Sequence, residues 1–176
     1  MTNLQKANKN PVVVFETSKG TFKVELFKDL APVSVGNFLS YVQNGFYDET
    51  IFHRVISNFM IQGGGYKSDM TKKQTKSPIR NEANNQLKND RGTIAVARTQ
   101  DPHSGTSQFF INVQDNPSLN YVDGTSGRNW GYAVFGKVIE GMDVIDAIKN
   151  VSTGSKAPFR SDVPVVDIVM KRVYLK

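Results

Sequence analysis

The chain has 176 residues, 39% of them apolar and 22% charged, and carries a net charge of +6 at neutral pH, which suits one soluble domain with a core of its own. It has no cysteine and two histidines, His53 and His103, so disulfides, thiol nucleophiles and thiolate metal sites are excluded and a zinc site would need carboxylates. No stretch approaches the ~18–20 apolar residues of a membrane span, and the polar N-terminus lacks a secretion signal's apolar core; the expectation is a cytoplasmic protein with a loose lead-in over 1–10 and one domain over 11–176.

In chain order, Val12–Thr17 and Thr21–Phe27 bracket Ser18-Lys19-Gly20 as a hairpin. Phe22, Val24 and Leu26 alternate with polar residues, so one face is buried. From Asp29 to Gly45 the spacing turns helical: Pro32 suits the first turn, Val35, Phe38, Leu39 and Val42 share a face, and Gly45 ends the run. The apolar runs Ile51–Ile56 and Phe59–Ile61 flank Ser57-Asn58 as paired strands, and Gly63 to Gly65 reads as the turn that stops the second.

Residues 65–92 show no periodicity and form a long loop. Within it, 67–91 carries seven Lys or Arg against three Asp or Glu. Without interleaved aromatics or a basic helical stripe, this reads as a solvated loop and not a nucleic-acid surface. Strand signal returns at Thr93–Ala97, Ser107–Val113 and Tyr132–Val138, with another loop over Asp115–Trp130. A short helix follows Gly141, with Met142, Ile145 and Ile148 as its apolar edge and Asp143 and Lys149 matching its dipole. The last run, Val163–Tyr174, reads as one strand with Val166, Ile168 and Met170 on one face. About eight short strands with only two helices argue a mainly β barrel or sandwich, the helices capping its ends.

The candidate chemistry centres on Arg54, a permanent cation in an apolar strand, costly there unless paired or at work. Strict alternation puts Phe52, Arg54 and Ile56 on one face and His53 on the other, and pairs Met60 with Gln62 and Gln108 with Phe110. One surface would then show a cation and two amides beside Met60 and Phe110. That set has no carboxylate pair or thiol, and Ser104 and Ser107 have no credible histidine and aspartate partners, so the pattern argues against a conventional hydrolase. A structural ion pair between Arg54 and Glu82 is the competing account, with His53 a core histidine.

Phe-His-Arg-Val-Ile (52–56), Phe-Met-Ile-Gln-Gly-Gly (59–64), Asn-Glu-Ala-Asn-Asn (81–85), Arg-Gly-Thr-Ile-Ala-Val-Ala-Arg-Thr (91–99), Ser-Gln-Phe-Phe-Ile (107–111), Val-Phe-Gly-Lys-Val (134–138) and Gly-Met-Asp-Val (141–144) follow in this order. With these stretches the chain resembles the cyclophilins, peptidyl-prolyl cis–trans isomerases, and most of all their short bacterial cytoplasmic members. The resemblance implies an eight-stranded antiparallel closed β-barrel capped by two α-helices. It implies Arg54 as the catalytic arginine and Phe59, Met60, Phe110 and Leu119 as the pocket for the substrate proline. Gln62 and Gln108 would orient the substrate, and Ala97 and Arg98 would hold its backbone, Arg98 replacing an asparagine common in eukaryotic members. Tyr132 stands where many of those members have a histidine. Ser118 stands where they have a tryptophan that helps hold cyclosporin, so weak cyclosporin binding is expected unless Trp130 substitutes for it.

The implied substrates are proline-containing peptides and unfolded or partly folded proteins, with no metal, cofactor, nucleic acid or membrane, and a monomeric state. A proline-peptide-binding or chaperone-like module without turnover is the alternative; the two diverge in whether loss of Arg54 slows exchange.

Overall fold

In the computed structural model, residues 9–176 are described; the expected lead-in over 1–10 lies almost wholly outside them. The chain forms β1 (Val12–Thr17), β2 (Gly20–Leu26), α1 (Pro32–Gln43), β3 (Thr50–Ile56), β4 (Met60–Lys67), β5 (Thr93–Val96), β6 (Phe109–Asn112), α2 (Gly127–Trp130), β7 (Val134–Glu140), α3 (Met142–Lys149), β8 (Thr153–Lys156), β9 (Phe159–Pro164) and β10 (Val169–Leu175). Eight strands close a barrel in the order β1-β10-β3-β4-β6-β5-β7-β2, every neighbour antiparallel. Full closure leaves the barrel no free edge.

Phe22, Val24 and Leu26 are fully buried, as their alternation requires. The core they enter is continuous with Val35, Phe38, Tyr41 and Val42 of α1 and with Ile145 and Ile148 of α3. Its aromatic centre stacks Phe15 on Phe22 at 4.5 Å and meets Phe109 edge-on with Phe38 at 5.7 Å, geometries worth about 0.5–1.5 kcal/mol each beyond area burial. Gly45, at φ 64°, ends α1 as expected. The start of α1 has no side-chain cap of its own. Glu82 supplies one from the long loop, accepting from the N–H groups of Val33 (3.2 Å) and Ser34 (2.6 Å) and from Ser34 Oγ (2.7 Å). A carboxylate at a helix N-terminus satisfies orphan donors and complements the dipole.

Three expectations are corrected. The run Val163–Tyr174 is two strands, β9 and β10, and Val166 in the bend between them is 75% exposed, apart from buried Ile168 and Met170. β8 and β9 form a separate two-stranded sheet; the polar sequence of β8, Thr-Gly-Ser-Lys, has no apolar alternation to announce it. The glycine triplet does not stop a strand, because β4 continues through Lys67. Gly64 adopts φ 90° there, and a Cβ would stand 2.9 Å from the rings of both Phe109 and Tyr47, so glycine lets the barrel wall close onto its aromatic core.

The basic 67–91 segment is mostly exposed, as expected of a solvated loop, with three of its cations tied to the neighbouring structure. Lys73 Nζ donates to the Phe46 carbonyl and lies over the Phe46 ring, Lys76 donates to Ser40 Oγ, and Arg91 forms a two-point pair with Asp146 of α3.

Candidate active site

The β3–β4 register pairs Phe52 with Gly63 but Arg54 with Gln62, so β3 holds one extra residue. Such a bulge re-aims the side chains around it. Phe52 and Val55 enter the barrel core, Arg54 emerges on the surface, and His53 is buried against Tyr66 and Phe159. Strict alternation is therefore wrong for Phe52, which does not share a face with Arg54. It holds in β6, where Phe109 points into the core and Phe110 out of it.

Outside the barrel wall a second apolar cluster joins Met60, Ala95, Ala97, Phe110 and Val134, flanked by half-buried Phe59, Leu119 and Tyr132. These side chains floor a cavity of about 220 Å³, below the ~300–1,000 Å³ of sites that enclose drug-sized ligands. It suits a group the size of one side chain. Phe59, Met60, Phe110, Leu119 and Ala97 give its apolar part, and Arg54, Gln62, Arg98 and Tyr132 its polar rim. Gln108 lines the adjoining cavity and accepts from Gln62 Nε2 at 3.0 Å. Arg54 Nη1 in turn makes a long 3.4 Å contact to Gln62 Oε1. All ten residues expected at the site thus meet on one face. None of the ion pairs among the described residues includes Arg54, and Glu82, its candidate partner, caps α1 instead.

Side chains that the sequence did not single out hold this face in place. Buried Asn116 donates to Asn112 Oδ1 and to the Phe59 carbonyl, and buried Asn112 donates to Asn89 Oδ1. Asn89 Nδ2 then reaches the carbonyls of Leu119 and Tyr132, both at 3.1 Å. One chain of amides fixes the backbones that carry three pocket residues. Asparagine in an Asn-rich loop ordinarily signals a turn, so no sequence signal distinguishes these. Gly65 is the other unflagged contributor: a Cβ there would lie 2.7 Å from Gln108, so its absence lets the Gln108 amide lie against β4 and meet Gln62.

Arg98 turns back into the protein. It donates to the carbonyls of Gly131, Gly127 and Thr99 and lies 4.3 Å over the Tyr132 ring, which also meets Phe110 edge-on. Burial pulls its pKa down, opposed by Tyr132 and Asp101. Its side chain is thus a clamp on the 127–131 turn as much as a wall of the cavity.

His53, 2% exposed, has an Nδ1 with no hydrogen-bond partner, and burial, then the neighbouring Arg54 charge, lowers its pKa to about 4. It is neutral near pH 7 and outside the cavity. Ser104 and Ser107 donate to the carbonyls of Asp101 and Gly64, which is structural service. Trp130 packs edge-on against His103 and Tyr121. The described residues contain no group of three side chains able to hold a metal ion and no helix long and apolar enough to cross a membrane.

The family model described as cyclophilin type peptidyl-prolyl cis-trans isomerase matches residues 12–173. The chain is 55% identical over 162 residues to peptidyl-prolyl cis-trans isomerase B of Escherichia coli (strain K12), covering 92% of this chain and 98% of that one. It is 57% identical over 159 residues to a peptidyl-prolyl cis-trans isomerase of Streptomyces antibioticus, covering 90% and 95%. A crystal structure of a cyclophilin type isomerase of Cryptosporidium parvum superimposes with a TM-score of 0.79 at 30% identity, over 95% of this chain and 98% of that one. The same protein crystallised in the presence of the dipeptide Ala-Pro gives 0.75 at 29% identity, over 94% and 98%.

Proposed function

The chain belongs to the cyclophilin-type peptidyl-prolyl cis–trans isomerases, and from that premise we propose that Arg54 is its catalytic residue and the cavity beside it the seat of the substrate proline. The observation that carries this reading is a guanidinium, without an ion pair among the described residues, on the rim of an apolar cavity the size of one side chain.

Rotation about an Xaa–Pro bond is opposed by amide resonance, with a barrier of ~18–20 kcal/mol. No covalent bond breaks, so catalysis consists in binding the twisted amide more tightly than the planar one. In the twisted state the proline nitrogen recovers its lone pair and accepts a hydrogen bond. Arg54 donates to it, and, being always charged, does so across the working pH range. Phe59, Met60, Phe110 and Leu119 grip the ring while the preceding carbonyl swings. Gln62, held by Gln108, and the Ala97–Arg98 backbone fix the flanking peptide so that one bond turns. Tyr132 closes the far wall.

Arg54→Ala should raise the barrier by about 2–4 kcal/mol, the scale of losing one electrostatic donor, and leave stability within about 0.5 kcal/mol because the side chain is exposed. Exchange in a short Xaa-Pro peptide, measured by NMR, tests this; an unchanged rate would remove Arg54 from the mechanism. The protein works as a cytoplasmic, single-domain monomer that assists folding of proline-containing chains. With Ser118 in place of tryptophan and Trp130 engaged elsewhere, cyclosporin binds weakly; a nanomolar Kd by calorimetry would overturn that.

A further inference from the structure

Beside the proline cavity, beyond Leu119 and Tyr132, opens a second cavity of about 570 Å³. Arg98, Leu119 and Tyr132 form the wall common to the two, and the outer one adds Gln100, Ser118, Gly127 and Arg128. Its lining holds two arginines and no acidic residue. Arg98 commits four of its five N–H groups to backbone carbonyls and makes no ion pair among the described residues. Carbonyls anchor a guanidinium without cancelling its charge. Arg128 is exposed, and its side chain has no hydrogen bond or ion pair among the described residues.

The Asp101 charge is felt at Arg98, though the two make no ion pair, and neither Asp101 nor Asp123 lines the cavity. Asp101 accepts from the His103 N–H, and Asp123 accepts from Thr125 and Asn129. Arg91, by contrast, is answered by Asp146 of α3. The cavity therefore presents one tethered and one exposed cation to whatever lies in it, with a hydroxyl and an amide, Ser118 and Gln100, as further partners.

We propose that this cavity is a specificity subsite, in which Arg128 and Arg98 select substrates carrying an aspartate or glutamate near the proline. The inference rests on the proline occupying the cavity next door. A peptide continuing over Leu119 and Tyr132 would bring the side chain of a nearby residue between the two guanidiniums. The planar, forked donors of Arg128 match a carboxylate better than a lysine would, and Arg98 adds its charge and one remaining N–H. Arg128 is the specificity residue and Arg98 the fixed background.

The test uses the full chain and a set of short Xaa-Pro peptides with Glu, Gln or Lys scanned through the three positions on either side of the Xaa-Pro pair, with exchange rates read by NMR. At one position the Glu peptide should turn over about threefold faster than its Gln twin at low salt, the size of an exposed charge pair, and the Lys peptide more slowly. The preference should fade above about 0.5 M salt as screening shortens. Arg128→Gln should bring the Glu/Gln ratio to one, while Lys19→Gln, an equal loss of charge in the β1–β2 turn, should leave it. Equal rates for all three peptides at every position, or a Glu preference that survives Arg128→Gln, would overturn the subsite. No catalysed exchange on any peptide would overturn the isomerase reading and the subsite with it.

Discussion

Phe109 and Phe110 are neighbours in β6 and belong to different clusters. Phe109 packs among Phe15, Phe38, Tyr47 and Phe52 inside the barrel, while Phe110 floors the candidate cavity with Met60 and Ala97 outside it. The inner cluster is large, aromatic and continuous with both long helices. The outer one is small, open on one side and fixed by a chain of asparagine amides. The core and the candidate site are thus divided between the two faces of the same strands. The division is sharpest where one residue of sequence separates them.

The harshest way to break the comparison is Phe109→Ala, which should cost about 3–5 kcal/mol of stability, read from urea unfolding. Phe110→Ala, at an open cavity where less void is sealed in, should cost about half as much yet lower kcat/KM more. Equal stability losses would erase the distinction.

His53 separates stability from activity by pH. Its folded pKa of about 4 lies below the unfolded value near 6.5, so the unfolded chain takes up its proton first as pH falls. This contribution to stability is complete above pH 6.5 and is lost between pH 6.5 and about 4, about 3 kcal/mol in all. Urea midpoints at pH 7 and 4.5 should converge in His53→Leu relative to the parent, with exchange at pH 7 little changed.

Asn112→Ala strands Asn89 Oδ1 and takes away the acceptor of Asn116. It should cost about 1–3 kcal/mol and, unlike Phe109→Ala, slow exchange in the molecules that remain folded, because Leu119 and Tyr132 lose their hold. The mildest change is Gly65→Ala. Displacing the flexible Gln108 side chain should leave stability within about 1 kcal/mol but reduce kcat/KM several-fold by parting Gln108 from Gln62.

The local patterns carried most of this architecture. The alternation of Phe22, Val24 and Leu26, the Pro32-to-Gly45 helix and the Gly141 helix start are short-range signals, and each is observed. Arg54 stood out because a cation in an apolar strand demands a reason. The bulge at His53 did not, since an extra residue in a strand leaves no mark on composition. The Asn89–Asn112–Asn116 chain is long-range by nature: each amide looks like a loop residue until the fold brings it to the next. The β8–β9 hairpin lacked a signal for the opposite reason, having too little apolar surface to impose a period.

The filled barrel has one more consequence. With its lumen occupied by aromatic rings, the barrel leaves the proposed chemistry to an external trough that adjoins further cavities, past Gln108 in one direction and past Ser118 in the other. No chain end has to be threaded and no lid has to lift. On the reading proposed above, a proline in the middle of a long polypeptide docks from the side, turns and leaves, and the length of the client sets no limit on what the trough serves.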